Sequence, residues 1–164
     1  MQLPEGVETV KMSAETVKLL WDKFNLFPKS FPDYLRGDQE AFVRGLLAPD
    51  TLFFALDDAG VIYLTEIIPG FSAKFNVMFW DQKLRGKEGK CSELLDWAFQ
   101  YLNLHRVWTA FPAFAKAHRK FVDRLGFLRE GYLRDAYPCL GVLYDVYVYA
   151  MLKGDRDGIP RVWE

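Results

Sequence analysis

The chain has 164 residues, of which 51% are apolar and 16% are aromatic, and its formal net charge is −1. This length and composition predict one folded domain with a substantial core and exclude a disordered chain. The near-zero charge provides no overall basic field, so we do not expect nucleic acid to be the main partner.

The cysteine content and the hydropathy pattern bear on the cellular compartment. Cys91 and Cys139 have no metal-ligand or redox spacing, and two cysteines are too few for a disulfide framework. No stretch reaches the roughly 18 consecutive apolar residues of a membrane span, and the first residues lack an apolar signal core. We therefore expect a soluble, cytoplasmic protein with no metal and no membrane partner.

The N-terminal third predicts a short strand and two helices. Residues 7–12 alternate as a strand does, and Ser13 precedes an apolar stripe that predicts a helix over about 14–25. Asp38 predicts the N-cap of a second helix that ends near Pro49. The aromatic, proline-containing linker between the helices either forms a wall of a substrate site or simply packs on the core.

The next segment predicts an antiparallel meander. Residues 51–56 and 61–68 have the composition of strands, and the intervening Asp-Asp-Ala-Gly is typical of a hairpin turn. A third strand is expected over about 74–80, after Pro69 and Gly70. These three strands would lie side by side in one sheet.

A glycine- and lysine-rich loop follows this third strand and leads into the best-defined helix of the chain. Gly86 and Gly89 allow the backbone to turn and approach a ligand closely, and a helix N-terminus attracts anions. The cations of the loop are Lys83, Arg85, Lys87 and Lys90. The apolar stripe of the helix consists of Cys91, Leu94, Leu95, Ala98, Phe99 and Leu102. The loop alone indicates phosphate binding only weakly, because glycines between lysines are also common in solvated turns.

Residues 105–111 predict a strand after this helix, and a strand, a crossover helix and a strand make a parallel pair. A phosphate-binding loop at the carboxyl end of the first strand lies where open sheets receive ligands. The remaining expected elements are a helix over about 114–125 that ends at Gly126, strands 127–135 and 143–152 connected through Tyr137 and Pro138, and a peripheral tail over 153–164. The whole chain, 1–164, is expected to form a single domain.

Three segments together resemble the GNAT acyltransferase superfamily. They are 89–110 (GKCSELLDWAFQYLNLHRVWTA), 115–134 (AKAHRKFVDRLGFLREGYLR) and 145–152 (DVYVYAML). The most specific piece is Leu-Gly-Phe at 125–127, followed by Glu-Gly at 130–131 and Arg134. Within the superfamily, the chain is most similar to the branch that acetylates ribosomal-protein N-termini and related amines.

The resemblance implies an α/β fold with a mixed sheet, in which a meander and a splayed pair of parallel strands are flanked by about four helices. It implies acetyl-CoA as cosubstrate, with its pantetheine beside Phe79, Trp80 and Asp81 and its pyrophosphate on loop and helix N–H groups. By position, the pyrophosphate cradle comprises Arg85, Gly86, Lys87, Glu88, Gly89, Lys90 and Cys91. Glu88 departs from the family pattern, because a carboxylate repels a pyrophosphate unless it turns to solvent.

The resemblance further implies direct attack of a neutral amine on the thioester, with an N–H near Trp80 holding the oxyanion. Glu66, at the end of an apolar strand, is the candidate base, and an exposed or salt-bridged glutamate is the alternative. Val122 occupies the usual position of the tyrosine acid. His118 is therefore a candidate either to protonate the thiolate or to contact a CoA phosphate, with an ordinary helix histidine as the alternative.

These residues predict an N-acetyltransferase that acts on a small amine or a protein N-terminus, and a homodimer is possible on this interpretation. A catalytically inactive GNAT-fold binding or structural protein stays open, favoured by Glu88 and by Ala115 and Val122 at positions usually polar in the family. An RNA-contacting module that uses the loop cations and those of 116–120 is the other alternative, which the net charge disfavours.

Overall fold

Alternating apolar residues build a mixed sheet, which the computed structural model describes together with its helices over residues 2–81 and 83–156. The strands are β1 (Val7–Thr9), β2 (Leu52–Leu56), β3 (Gly60–Ile68), β4 (Ser72–Phe79), β5 (Arg106–Pro112), β6 (Leu128–Cys139) and β7 (Val142–Leu152). The helices are α1 (Ala14–Asn25), α2 (Gln39–Leu46), α3 (Glu88–Tyr101), α4 (Lys116–Leu125) and α5 (Lys153–Arg156). The strand order is β1-β2-β3-β4-β5-β7-β6, and β4 and β5 are the parallel neighbours within the described residues.

The first two helices begin where the sequence predicts. The Thr16 N–H donates to Ser13 Oγ at 3.1 Å, and the Ala41 N–H donates to Asp38 Oδ1 at 2.8 Å. Each bond satisfies a backbone donor that a helix N-terminus otherwise leaves unpaired. The predicted range of α1 is confirmed, whereas α2 ends at Leu46, ahead of Pro49.

The predicted hairpin and meander are confirmed in β2, β3 and β4. Asp57 adopts a left-handed φ of 45° in the turn, as aspartate tolerates. A Cβ added at Gly60 would lie 2.1 Å from the Met78 carbonyl oxygen, so only glycine allows β4 to approach this closely. The β3–β4 register shifts between Thr65 and Ile68, and this bulge encloses Glu66 at a φ of 52°.

The expected parallel pair is present, and its two strands separate soon after they begin. The register pairs Ser72 with Arg106, Ala73 with Val107 and Lys74 with Trp108. Beyond Lys74, no further β4–β5 pairing occurs among the described residues, which leaves the facing edge of residues 75–79 open. The helix α3 forms the crossover between these strands.

The last hairpin turns later than predicted. Tyr137 and Pro138 lie within β6, and the turn is made by Leu140 and Gly141, whose φ values are 55° and 74°. Pro138 is compatible with a strand here because β6 is at the edge of the sheet, where a missing N–H need not break a ladder. The predicted connection through Tyr137 and Pro138 was wrong for this reason.

Apolar clusters cover both faces of the sheet. On one face, α3 and α4 pack on the strands through a cluster that includes Phe54, Phe75 and Phe121. On the other face, α1 packs through Leu20 and Phe24, and α2 packs through Leu46. The gap between β4 and β5 therefore connects two sides of the sheet that are otherwise separated.

The short helix α5 attaches the described part of the tail to α3. Arg156 Nε donates to Asp96 Oδ1 at 2.5 Å, and Arg156 Nη2 donates to Ser92 Oγ at 2.8 Å. The remainder of the expected peripheral tail, 157–164, lies outside the described residues. Within residues 2–81 and 83–156, no helix combines the length and the hydropathy that crossing a membrane requires.

Candidate functional site

A cavity of about 700 Å³ opens between the separated ends of β4 and β5 and extends over the face covered by α1 and α2. Val77 and Phe79 border it from β4, and Ala110 and Pro112 border it from β5. Because the facing edge of β4 has no partner strand there, its backbone can hydrogen-bond an extended ligand. The gap therefore offers a narrow passage that leads into a wider chamber.

The loop before α3 presents backbone N–H groups at one end of this passage. Gly86 has a φ of 89°, a left-handed conformation that favours glycine. Lys87, at the N-cap of α3, forms no side-chain cap, and the Cys91 N–H donates to the Lys87 carbonyl oxygen at 3.1 Å. The N–H groups that precede Cys91 in the helix have no intrahelical acceptor, which makes this end of α3 suitable for an anion.

The Glu88 carboxylate already lies on this loop. Its Oε2 accepts from the Gly86 N–H at 2.7 Å, and its Oε1 accepts from Arg124 Nε at 2.7 Å. Partial burial is the largest single influence and raises the pKa of Glu88, but hydrogen bonds from its own N–H, Arg124 and Gly86 together lower it. An anionic side chain of this protein therefore lies where the resemblance places a pyrophosphate.

The cations of the loop differ in whether they are free to contact a ligand. Lys87 Nζ bonds Asp81 Oδ1 at 2.9 Å and the Lys83 carbonyl oxygen, and it lies 4.8 Å from the Phe79 ring centroid. The bond from Lys87 is the main cause of the lowered pKa of Asp81. The contact between Lys87 and Asp81 therefore joins the two ends of the loop, and the Lys87 ammonium is already engaged within the protein. The exposed Arg85 forms no ion pair with any residue in the described part of the chain, so it is available to a ligand.

Three further residues expected at the CoA site have structural partners. The Trp80 N–H donates to the Ala59 carbonyl oxygen at 2.8 Å, so an oxyanion would need the N–H of a neighbouring residue. Lys90 Nζ lies 3.5 Å from Glu93 Oε2 on the same helix. Cys91 is fully buried, and burial raises the pKa of its thiol to about 12, which makes it a small packing residue.

His118, in the first turn of α4, borders the cavity where the strands separate. Its ring lies 5.5 Å from the Phe111 ring, and burial lowers the pKa of the imidazole. The imidazole is therefore neutral at neutral pH and suits the acceptance of a proton better than its donation. The structure thus brings His118 to the site.

Glu66 lies outside the residues that border the cavity. Its side chain is 58% exposed, and its Oε1 lies 3.6 Å from the Nζ of Lys74, which does border the cavity. The Lys74 ammonium also lies 4.8 Å from the Trp108 ring centroid. Any action of Glu66 on a bound amine would therefore pass through water or through Lys74.

The aromatic linker between α1 and α2 borders the cavity, which favours the expectation of a substrate-side wall. Asp33 holds this linker against the β6–β7 hairpin, because its two carboxylate oxygens accept from Leu140 N–H at 2.8 Å and Gly141 N–H at 3.0 Å. The Tyr137 hydroxyl donates to the Lys29 carbonyl oxygen at 3.0 Å. These contacts fix the outer wall of the chamber in position.

Tyr63 and Asn76 border the cavity and were not among the residues expected at the site. Burial raises the pKa of Tyr63 to about 12 and raises that of Tyr137 as well, so both phenols stay protonated at neutral pH. Alternation along β3 and β4 could have placed Tyr63 and Asn76 on one face of the sheet. It could not have revealed that a linker closes a cavity over them.

The chain is similar to known acetyltransferases in sequence and in structure. No protein-family model matches the chain. "Putative ribosomal N-acetyltransferase YdaF" of Bacillus subtilis is 29% identical over 133 residues, which cover 77% of this chain and 69% of that protein. "Uncharacterized N-acetyltransferase p20" of Bacillus licheniformis is 35% identical over 66 residues, which cover 40% of this chain and 37% of that protein.

The solved structures share the fold over most of the chain. A spermidine N-acetyltransferase from Vibrio cholerae, in complex with CoA and spermine, superimposes with a TM-score of 0.71 at 17% identity and covers 93% of this chain and 98% of its own. A probable acetyltransferase gives 0.70 at 20% identity, with coverages of 93% and 96%. The chain has the GNAT fold. The expected fold is therefore confirmed, and both proteins matched by sequence are named as N-acetyltransferases, the enzyme class expected for this chain.

The gap between β4 and β5 is the candidate site of this GNAT fold. His118 borders this gap, and so does Leu84, in the loop that leads into the N-terminus of α3. The Glu88 carboxylate accepts a hydrogen bond from the Gly86 N–H, a loop donor that an incoming anion would also need.

Proposed function

We propose that this protein transfers an acetyl group from acetyl-CoA to a primary amine by direct attack of the amine on the thioester. The observation that carries the proposal is the cavity that passes through the gap between β4 and β5, because it joins an open strand edge to a chamber large enough for an acceptor. His118 borders the same cavity. A site of this form allows the thioester and the amine to meet in a partly dehydrated space.

The residues around the passage suit CoA. The open edge at residues 75–79 suits the amides of the pantetheine arm, and the N–H groups at the start of α3 suit a pyrophosphate, with Gly86, Gly89 and Arg85 beside them. No atom lies within 4 Å of a Cβ built at Gly89, so the backbone is accessible there. Glu88 opposes this fit, and we propose that its carboxylate leaves the loop when the pyrophosphate binds.

His118 is our candidate for moving the proton. An amine must be neutral to attack, and alkyl amines have pKa values of about 10 in water. As the new C–N bond forms and the C–S bond breaks, His118 takes a proton from the amine nitrogen and passes it to the CoA sulfur. The products are an amide and the free CoA thiol. His118 gives up the proton that it took, so it ends the reaction in the neutral state in which it began.

Glu66 and a backbone N–H complete the proposal. Glu66 acts as a second base through water, because its carboxylate lies beside Lys74 and outside the cavity. The oxyanion is held by an N–H on the open edge of β4 near Trp80. We retain a cytoplasmic location as part of the same proposal.

Titration calorimetry followed by a turnover assay tests the function. Acetyl-CoA and desulfo-CoA should both release binding heat, RNA should release none, and a panel of primary amines should then yield free thiol. An absence of heat with both CoA ligands would overturn the enzyme interpretation. Binding without turnover over the whole panel would favour an inactive GNAT-fold binding protein, the alternative that the placement of Glu88 on the loop supports.

A homodimer is the assembly that we propose. Leu128, Tyr132 and Leu133 lie on the edge strand β6, and each is more than half exposed. Apolar side chains grouped on a sheet edge favour association with another chain. Sedimentation velocity on the wild type and on Tyr132→Asp tests this, since the variant should sediment as a monomer if β6 forms the interface.

A further inference from the structure

Aromatic rings form the outer part of the cavity, on the face covered by α1 and α2. Phe24, Phe31 and Phe42 contact one another with centroid separations of 5.4–6.0 Å. Phe53 stacks on Tyr63 at 4.8 Å. All five rings border the cavity, so a group that enters this part meets mainly aromatic carbon.

The charges around the cavity do not suit a polycation. Among the described residues that border it, Asp38 is the acidic one, and its Oδ1 already caps α2 by accepting from Ala41 N–H at 2.8 Å. Lys29 and Lys74 also border the cavity and add positive charge. A second ammonium on the acceptor would therefore be dehydrated without a carboxylate partner, which is strongly unfavourable.

One amide supplies a polar contact in this apolar chamber. Asn76 Nδ2 lies within hydrogen-bond distance of Thr65 Oγ1 at 3.2 Å, the Lys74 carbonyl oxygen at 3.3 Å and the Tyr63 carbonyl oxygen at 3.4 Å. These acceptors fix the amide with its nitrogen toward β3. The Asn76 Oδ1 accepts no hydrogen bond from another described residue, so it is available to the N–H of an amine.

We propose that the acceptor of this enzyme is a primary monoamine with a compact aromatic body, whose ring lies among Phe24, Phe31 and Phe42 and whose nitrogen donates to Asn76 Oδ1. This inference rests on the proposed function and names its substrate class. The aromatic wall provides the contact area, and the single amide oxygen orients the nitrogen toward the passage that holds the thioester. A polyamine carries further ammonium groups that the chamber leaves unpaired. A charged peptide N-terminus lacks an apolar body that matches the aromatic wall.

Steady-state kinetics with matched amines tests the substrate class. Phenethylamine, spermidine and a Ser-Ala-Lys tripeptide are compared at saturating acetyl-CoA, with free thiol as the readout. We expect kcat/KM for phenethylamine to exceed the other two values by about tenfold or more. Calorimetric binding of phenethylamine to the protein saturated with desulfo-CoA provides a second readout that does not depend on turnover.

A charge variant makes the test specific to the cavity. Tyr34 borders the cavity and is 70% exposed, so Tyr34→Glu adds a carboxylate at the rim with little effect on folding. This variant should raise kcat/KM for spermidine about fivefold and raise that for phenethylamine less, because spermidine carries more ammonium groups. Tyr101→Glu, on an exposed part of α3 away from the cavity, is the matched control and should change neither value.

The outcomes separate this inference from the proposed function. A higher kcat/KM for spermidine or the tripeptide would overturn the aromatic monoamine and leave the acetyltransferase standing. Phenethylamine that binds the desulfo-CoA complex without turnover would support the chamber and contradict the proposed reaction. No binding of phenethylamine, together with normal CoA binding, would overturn the inference.

Discussion

Arg124 Nε donates a 2.7 Å hydrogen bond to Glu88 Oε1, which joins the last turn of α4 to the first turn of α3. The same carboxylate accepts from the Gly86 N–H, so one residue takes up donors from both the loop and the neighbouring helix. An incoming pyrophosphate carries the same sign of charge and requires the same N–H groups. On the proposed function, CoA would therefore compete with the Glu88 carboxylate for these N–H groups.

Glu88→Gln should strengthen CoA binding. Glutamine keeps the size of the side chain and removes its charge, so the pyrophosphate meets less repulsion and Arg124 becomes free to contact it. We expect the Kd for desulfo-CoA, measured by calorimetry, to fall about fivefold at low ionic strength. Glu15→Gln, at an exposed position of α1, is the control and should have little effect. Weaker binding by Glu88→Gln would show that the carboxylate supports the cradle.

Gly89→Glu should abolish CoA binding while the protein stays folded. A Cβ at position 89 has open space around it, but the new carboxylate would lie beside the N–H groups at the start of α3. Gly89→Ala is the matched control, because it adds a Cβ without charge and should bind CoA normally with slightly raised stability. Equal affinities for the two variants would remove this loop from the CoA site. Far-UV circular dichroism checks the fold of each.

His118→Gln should lower kcat about a hundredfold and alter the pH profile. Burial lowers the pKa of His118, so the wild-type rate should decline on acidification only below about pH 6.5, and the variant should lose this limb. The unfolded chain binds the proton more readily than the folded one, so wild-type stability should also fall below about pH 6.5. A preserved acid limb in the variant would exclude His118 as the proton carrier, and a raised Kd with normal kcat would make it a phosphate contact.

Glu66→Gln should lower kcat by about tenfold, less than the histidine variant, because the carboxylate reaches the cavity only through water. The pH dependence of kcat should shift on its alkaline side. Lys74→Gln removes the same ion pair and leaves Glu66 in place, so it is the informative control. If both variants lose rate equally and keep the wild-type pH profile, Glu66 serves only to hold Lys74.

Local chemistry made much of the fold predictable. Ser13 and Asp38 cap their helices through hydrogen bonds to residues three positions later, so the signal is contained in a few adjacent residues. The crossover from β4 through α3 to β5 was equally predictable. The apolar residues change from the two-residue period of a strand to helical spacing at a glycine-containing loop. The predicted turn at Pro138 was wrong because the effect of a proline on a strand depends on whether that strand lies at the edge of the sheet. Only the assembled topology decides this.

The parts of the site that escaped prediction depend on long-range pairing. Glu88 and Arg124 are 36 residues apart, and Asp33 and Leu140 are 107 apart, so no local pattern reveals either contact. The hydrogen bond of the Trp80 N–H to Ala59 likewise depends on the turn of a neighbouring hairpin. The glycine-containing loop and a histidine in the first turn of α4 were therefore predictable from the sequence, whereas the contacts of Glu88 and the aromatic chamber depend on the folded chain.

The central claim is most directly tested by the amine-dependent release of free CoA from acetyl-CoA, measured side by side for the wild type, Gly89→Ala and Gly89→Glu. We expect phenethylamine to accelerate thiol release by the wild type and by Gly89→Ala, and Gly89→Glu to release no more thiol than buffer. Thiol release that is independent of amine, or equal in all three proteins, would contradict acetyl transfer at this site.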